Sequence, residues 1–166
     1  MEVKVIRSKR RKKTVEARLE SGVLVVRAPA AISDTQLNPI IEKLKARLEK
    51  RQRRRQLKSD ASLEARASEL NKRYFDGKLT WSSIRYVTNQ NKRFGSCTPS
   101  QGSIRISHRL ERMPAWVRDY VIVHELAHLV EPNHSRAFWE MVNRYPKTER
   151  ARGYLIAIGM EADEET

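Results

Sequence analysis

The chain holds a single cysteine, Cys97, among its 166 residues. That excludes an internal disulfide and fits a reducing, cytoplasmic setting. Long apolar runs are also missing: none approaches the ~20 residues that a membrane span requires, so no membrane partner is expected. Lys and Arg crowd the start with no apolar stretch behind them, which argues against a secretory signal. Neither a glycine-rich phosphate loop nor a paired-carboxylate magnesium site is visible. What is present is charge. Charged residues make up 33% of the chain and hydrophobic residues 39%, which describes a folded core under a heavily solvated surface. The length suits one domain, or a compact catalytic unit with a small appendage.

Acidic residues are outnumbered, 20 to 34, for a net charge of +14. The excess is clustered. Residues 1–13 carry Lys4, Arg7, Lys9, Arg10, Arg11, Lys12 and Lys13 against Glu2. Residues 42–58 carry Lys43, Lys45, Arg47, Lys50, Arg51, Arg53, Arg54, Arg55 and Lys58 against Glu42 and Glu49. Clusters of this kind favour polyanions, nucleic acid or nucleotide, through counterion release. They also suit a merely solvated helix face and hairpin. Few aromatics accompany them, so base stacking has little support.

Alternation predicts three strands, at Val3–Ile6, Thr14–Leu19 and Val23–Val26, with a turn at Ser21-Gly22 and an end at Pro29. Ser33 and Gln36 make a capping box ahead of a helical stripe of Leu37, Ile40, Ile41, Leu44 and Leu48. That helix is expected to run out as a charged arm, with a junction at 56–60 where Asp60 caps the next helix. The organisation expected is thus 1–58, a small β-sheet plus basic amphipathic helix, followed by 59–166, the catalytic core. In the second part, Leu63, Ala67, Leu70 and Tyr74 predict a helix ending near Asp76-Gly77. Strands are expected at Ile84–Thr88 and Ser103–Ser107, separated by a polar turn at Thr98–Gly102. Pro114 opens a helix whose residues from Trp116 to Val130 are apolar nearly all round, and such a helix is buried. A helix from Ser135 to Tyr145, anchored by Phe138 and Trp139, is followed by a last one from Pro146 towards Met160. The fold class is α+β.

Three of the four histidines fall within His124-Glu125-Leu126-Ala127-His128-Leu129-Val130-Glu131-Pro132-Asn133-His134. One helical turn puts His124 and His128 on the same face, about 6 Å apart. His134, arriving from beyond the helix end, would complete three ligands and leave a fourth tetrahedral position for water. Glu125 is placed to take a proton from that water as general base. Pro132 stops the helix, and Asn133 tolerates a left-handed turn that would swing the chain back. The offset from first to third histidine resembles the metzincin pattern, with Glu131 standing where those enzymes carry glycine. Polar groups inside a core must be satisfied by hydrogen bonds or a metal. Three imidazoles with an open position favour Zn2+, although other divalent ions use the same geometry. The alternative is three hydrogen-bonded core histidines without an ion.

Several separated elements then recur in a known order. Arg93-Phe94-Gly95-Ser96-Cys97, Gly102-Ser103-Ile104-Arg105-Ile106, Asp119 to Leu129, and Asn133-His134-Ser135 with Phe138-Trp139 resemble the YgjP-like metallopeptidase-domain family, related to SprT-like and WLM proteases. The resemblance is dense over 92–145. It extends loosely to a basic hairpin at Arg7–Arg18 and to Ala28-Pro29. It implies a zincin-like core, a small sheet with an active-site helix and backing helices, with zinc on His124, His128 and His134. Phe94 replaces the family's usual tryptophan, and Ser107-His108 stand where an asparagine is common. His108 is read as a surface or structural residue, Cys97 as a structural thiol, and Arg93 as either a charge stabiliser or a loop residue.

Three functions fit. The first is a zinc peptidase acting on protein or peptide, with an extended substrate pairing along Ser103–Ser107. The second, which relatives of the family suggest, is metal-dependent nucleoside triphosphate pyrophosphohydrolysis. The third is a nucleic-acid-associated binding protein with a zinc site. No oligomeric state follows from the residues.

Overall fold

A computed structural model describes residues 2–90 and 92–158. The elements run β1 (Val3–Ser8), β2 (Glu16–Glu20), β3 (Val23–Pro29), α1 (Asp34–Tyr74), β4 (Ser83–Val87), β5 (Gly95–Thr98), β6 (Ser103–Ser107), α2 (Ala115–Ala127), α3 (Arg136–Val142) and α4 (Thr148–Ala157). The α+β class is borne out. Two compact units divide the chain, 1–55 and 56–166. The expected end at Met160 and the acidic tail lie outside the described residues. No described helix is long and apolar enough to cross a membrane.

In the first unit the sheet order is β1-β3-β2. β2 and β3 form the hairpin, through Ser21 and Gly22 at φ of +50° and +85°, a pair of positive dihedrals that matches the right-handed twist of two strands. β1 lies parallel to β3 on its other side. Arg7–Arg18 is therefore not a hairpin, because β3 separates the two strands that segment joins. Alternate residues of β3, Leu24, Val26 and Ala28, are fully buried and pack with Leu37 and Ile41 of α1. The capping box forms as expected: the Gln36 N–H donates to Ser33 Oγ at 3.3 Å and the Ser33 N–H to Gln36 Oε1 at 3.4 Å.

α1 runs unbroken for 41 residues, so the break between two helices expected at 56–60 does not occur. The reason is compositional: between Pro39 and Gly77 the chain has neither glycine nor proline, and nothing interrupts the ladder. Asp60 caps no helix. Its Oδ1 accepts from the Tyr86 N–H at 2.8 Å and from Gln56 Nε2 at 3.0 Å, tying β4 to α1. The helix ends at Asp76-Gly77 as expected, with both residues at positive φ and the Gly77 N–H returning to the Asn71 carbonyl at 3.1 Å, a closure typical of left-handed helix ends.

The second unit's sheet has the order β4-β6-β5, with β4 parallel and β5 antiparallel to β6. β6 is thus the central strand. The expectation of a free edge at Ser103–Ser107 fails, since both sides of β6 are already paired. β5 is an edge. Ile84, Tyr86, Ile104 and Ile106 turn one face of this sheet into the core, where Leu63, Ala67 and Leu70 of α1 meet α2. α2 is the most enclosed element: Val117, Tyr120, Val121, Ile122, Val123, Leu126 and Ala127 are all at most 4% exposed. Val130, beyond its end, is 53% exposed, because the helix stops at Ala127 rather than continuing. A two-pronged ion pair ties α2 to α1, Arg66 Nε and Nη2 reaching Asp119 Oδ1 and Oδ2 at 2.9 and 2.6 Å.

Candidate metal centre

α2 delivers His124 and Glu125 from its last turn, with His128 as C-cap. The helix is closed by tight bonds from the Leu129 N–H to the Leu126 carbonyl and from the Val130 N–H to the Ala127 carbonyl, at 3.1 and 3.0 Å. Pro132 prevents a further turn. The return is made differently from the expectation at Asn133, which does not take a positive φ; among the described non-glycine residues only Ser21 and Asp76 do. Instead the Ser135 N–H folds back on the Asn133 carbonyl at 2.8 Å, and a two-residue closure bends the chain without a left-handed residue. Ser135 then caps α3, accepting from the Phe138 N–H at 3.2 Å while its hydroxyl donates to Glu131 Oε2 at 3.2 Å.

The result is convergence. His124 Nε2 stands 3.2 Å from Nε2 of both His128 and His134, and one nitrogen from each ring lies within 4.8 Å of the others. Ligands at ~2.05 Å in tetrahedral array have edges of ~3.3 Å, so the spacing fits one small cation. Protonation supports this. The carbonyl of Glu131 can only accept, so the His128 contact at 3.0 Å places a proton on Nδ1. Burial first, then the neighbouring His128, His134 and Arg152 charges, hold His124 well below the usual histidine pKa, as the neutral ring. A neutral imidazole can turn the lone pair of one ring nitrogen towards a shared cation. These three residues form a group that could hold a metal ion.

Aromatic walls hold the rings. Phe138, fully buried, stacks on His128 at 4.4 Å between centroids and meets His124 edge-on at 4.8 Å. Trp139 lies nearly parallel to His134 at 5.8 Å, and the Arg152 guanidinium sits 4.7 Å over the Trp139 ring. His134 comes from a loop, so this stack does for its orientation what the helix does for the other two. Phe138 and Trp139 were legible as anchors; Arg152 was not, because nothing in the spacing of α4 marks it.

Glu125 is 4% exposed and lies against β5. A methyl group built on Gly95 would stand 2.7 Å from both Cγ and Cδ of Glu125, and closer still to Oε1. Position 95 must therefore lack a side chain for the carboxylate to keep its place. Cys97, two residues along β5, is half-buried, and burial together with the Glu125 charge pushes its thiol up to about 12. A group with so high a pKa is neutral at pH 8, so iodoacetamide should label it ~10² times or more slower than a free cysteine; labelling at the free rate would contradict the placement of Cys97. His108 is exposed, its Nδ1 3.3 Å from the Val87 carbonyl, and Arg93 is exposed. The structure does not bring either into the histidine cluster.

No curated protein matches the chain. A solved structure, the metallopeptidase zymogen of Pyrococcus abyssi abylysin, superposes with a TM-score of 0.52 at 15% identity, over 60% of this chain and 98% of that one. At that identity the likeness concerns the fold, which is that of a zincin-like metallopeptidase. A family model, YgjP-like, metallopeptidase domain, matches residues 78–156. The segment that bears His124, Glu125, His128 and His134 accordingly falls within the match to the YgjP-like metallopeptidase domain, the family its motifs resemble.

Proposed function

We propose that the protein is a zinc-dependent peptidase in which His124, His128 and His134 hold the ion and Glu125 is the general base. The observation that carries this reading is the meeting of three imidazole Nε2 atoms at the end of a buried helix, with a buried carboxylate one residue from the first. When bound, zinc would lower the pKa of a coordinated water towards 7 and polarise the scissile carbonyl. Glu125, held by Gly95 on one side and the helix on the other, takes the proton of the attacking water and passes it to the leaving amine. The substrate backbone pairs along β5 as an added strand, because β5 is an edge and its first residue touches Glu125.

Metal analysis of the purified protein tests the centre before any substrate is chosen. One zinc per chain is expected. Removing it with a chelator should lower the unfolding midpoint by roughly 10 °C against protein in zinc at a thousandfold excess over Kd, and zinc should restore it. A metal-free protein indifferent to zinc would remove the proposal. Casein and a panel of nucleoside triphosphates then distinguish chemistries: pyrophosphate release without peptide cleavage would keep the metal and overturn the peptidase.

A further inference from the structure

The net charge is not shared between the two units. Residues 1–55 hold 17 of the 34 Lys and Arg but only six of the 20 Asp and Glu, so most of the excess sits in a third of the chain. The same segment contains no Phe, Trp, Tyr or His. Within it, α1 begins by packing Leu37 and Ile41 against the sheet and then leaves any core: every residue from Glu49 to Arg55 is exposed and none is apolar.

The cations on that stretch are ordered. At about 100° per residue, Lys43, Arg47, Lys50, Arg51 and Arg54 fall within an arc of roughly 100°, spaced i, i+4, i+7, i+8 and i+11 along one side of the helix. Lys45 and Arg53 lie off that side. Like charges at i, i+4 disfavour a helix, so this face is a liability that an anionic partner would relieve. A membrane surface is a poor partner, since a helix lying on lipid needs an apolar face and residues 49–55 have none. Single strands are poor partners too, since they are gripped largely by stacking on aromatics. What remains is the phosphate backbone of a double helix. The five cations span about 17 Å of helix, and the B-form major groove, about 12 Å wide, admits such a helix; the narrow major groove of duplex RNA does not.

We infer that residues 1–55 form a duplex-DNA-binding unit that grips phosphates with the Lys43, Arg47, Lys50, Arg51 and Arg54 face of α1, without reading sequence. The inference is independent of the proposed peptidase, and Glu125→Gln protein should bind the duplex as wild type does.

The test is fluorescence anisotropy of the full chain with a labelled 20-base-pair DNA duplex over a salt series. Five phosphate contacts predict a log–log salt slope of about −4 to −5. Arg47→Gln with Arg51→Gln should weaken binding at least tenfold at about 50 mM salt and flatten the slope by about 2. Lys45→Gln with Arg53→Gln removes the same charge from off the face and should change affinity less than threefold. Both doubles should share the wild-type unfolding midpoint; if the first does not, Lys43→Gln with Lys50→Gln replaces it. No binding at low salt would overturn the inference, as would equal losses in the two doubles. So would single-stranded DNA, duplex RNA or anionic vesicles binding as tightly as the DNA duplex.

Discussion

Glu125→Gln should lower the peptide-cleavage rate by about 10²–10⁴-fold, the range that positioned proton transfer contributes, and should leave the zinc content at one per chain. The substitution keeps the size of the side chain and removes its basicity. Metal retention is expected because the proposed ligands are imidazoles with supports of their own: His128 is held through the Glu131 carbonyl and by Phe138, and His134 by Trp139. Parallel measurements of kcat and of bound zinc check both halves. A variant that cleaves at the wild-type rate assigns the base elsewhere, and one that loses zinc makes Glu125 part of the ion's support rather than the base.

Gly95→Ala should be nearly as damaging to turnover, although residue 95 takes no part in the chemistry. The added methyl would fall 2.7 Å from Cγ and Cδ of Glu125, a separation at which something must move. The neighbour is a side chain rather than backbone, so the carboxylate yields before the strand does. A displacement near 1 Å at a reacting group costs on the order of 10²-fold in rate. The expected pattern is a fall in kcat of that order with zinc content preserved and a modest shift in unfolding midpoint. Wild-type kcat in Gly95→Ala would mean that the close packing of strand and carboxylate has no catalytic consequence. Unfolding of the protein would instead assign Gly95 to the fold alone.

Much of this centre was legible in the chain. The pair at one helical turn, the third histidine past a proline and the apolar surroundings of α2 all act over short range, and short-range physics is what periodicity reports. The capping box at Ser33 and Gln36 was legible for the same reason. β5 was not, because its four residues, Gly-Ser-Cys-Thr, carry no apolar alternation; their pairing with β6 is a property of the sheet. The central place of β6 was hidden for the same reason, and with it the edge position of β5. Continuity of α1 was obscured differently. Its middle has no apolar stripe to announce a helix, and only the absence of glycine and proline between residues 39 and 77 carried the signal. The bend before His134 drew on Asn133 as a left-handed residue, whereas a tight closure at Ser135 achieved it.

The three imidazoles come from eleven consecutive positions, while the neighbour that fixes Glu125 sits thirty residues upstream on another element. Under the proposed roles, ion capture and turnover therefore have separate structural addresses. Grafted into a foreign helical host, the segment from Ala115 to Val142 should confer the first and not the second. Drift along β5 could likewise silence the enzyme while leaving a competent chelator behind.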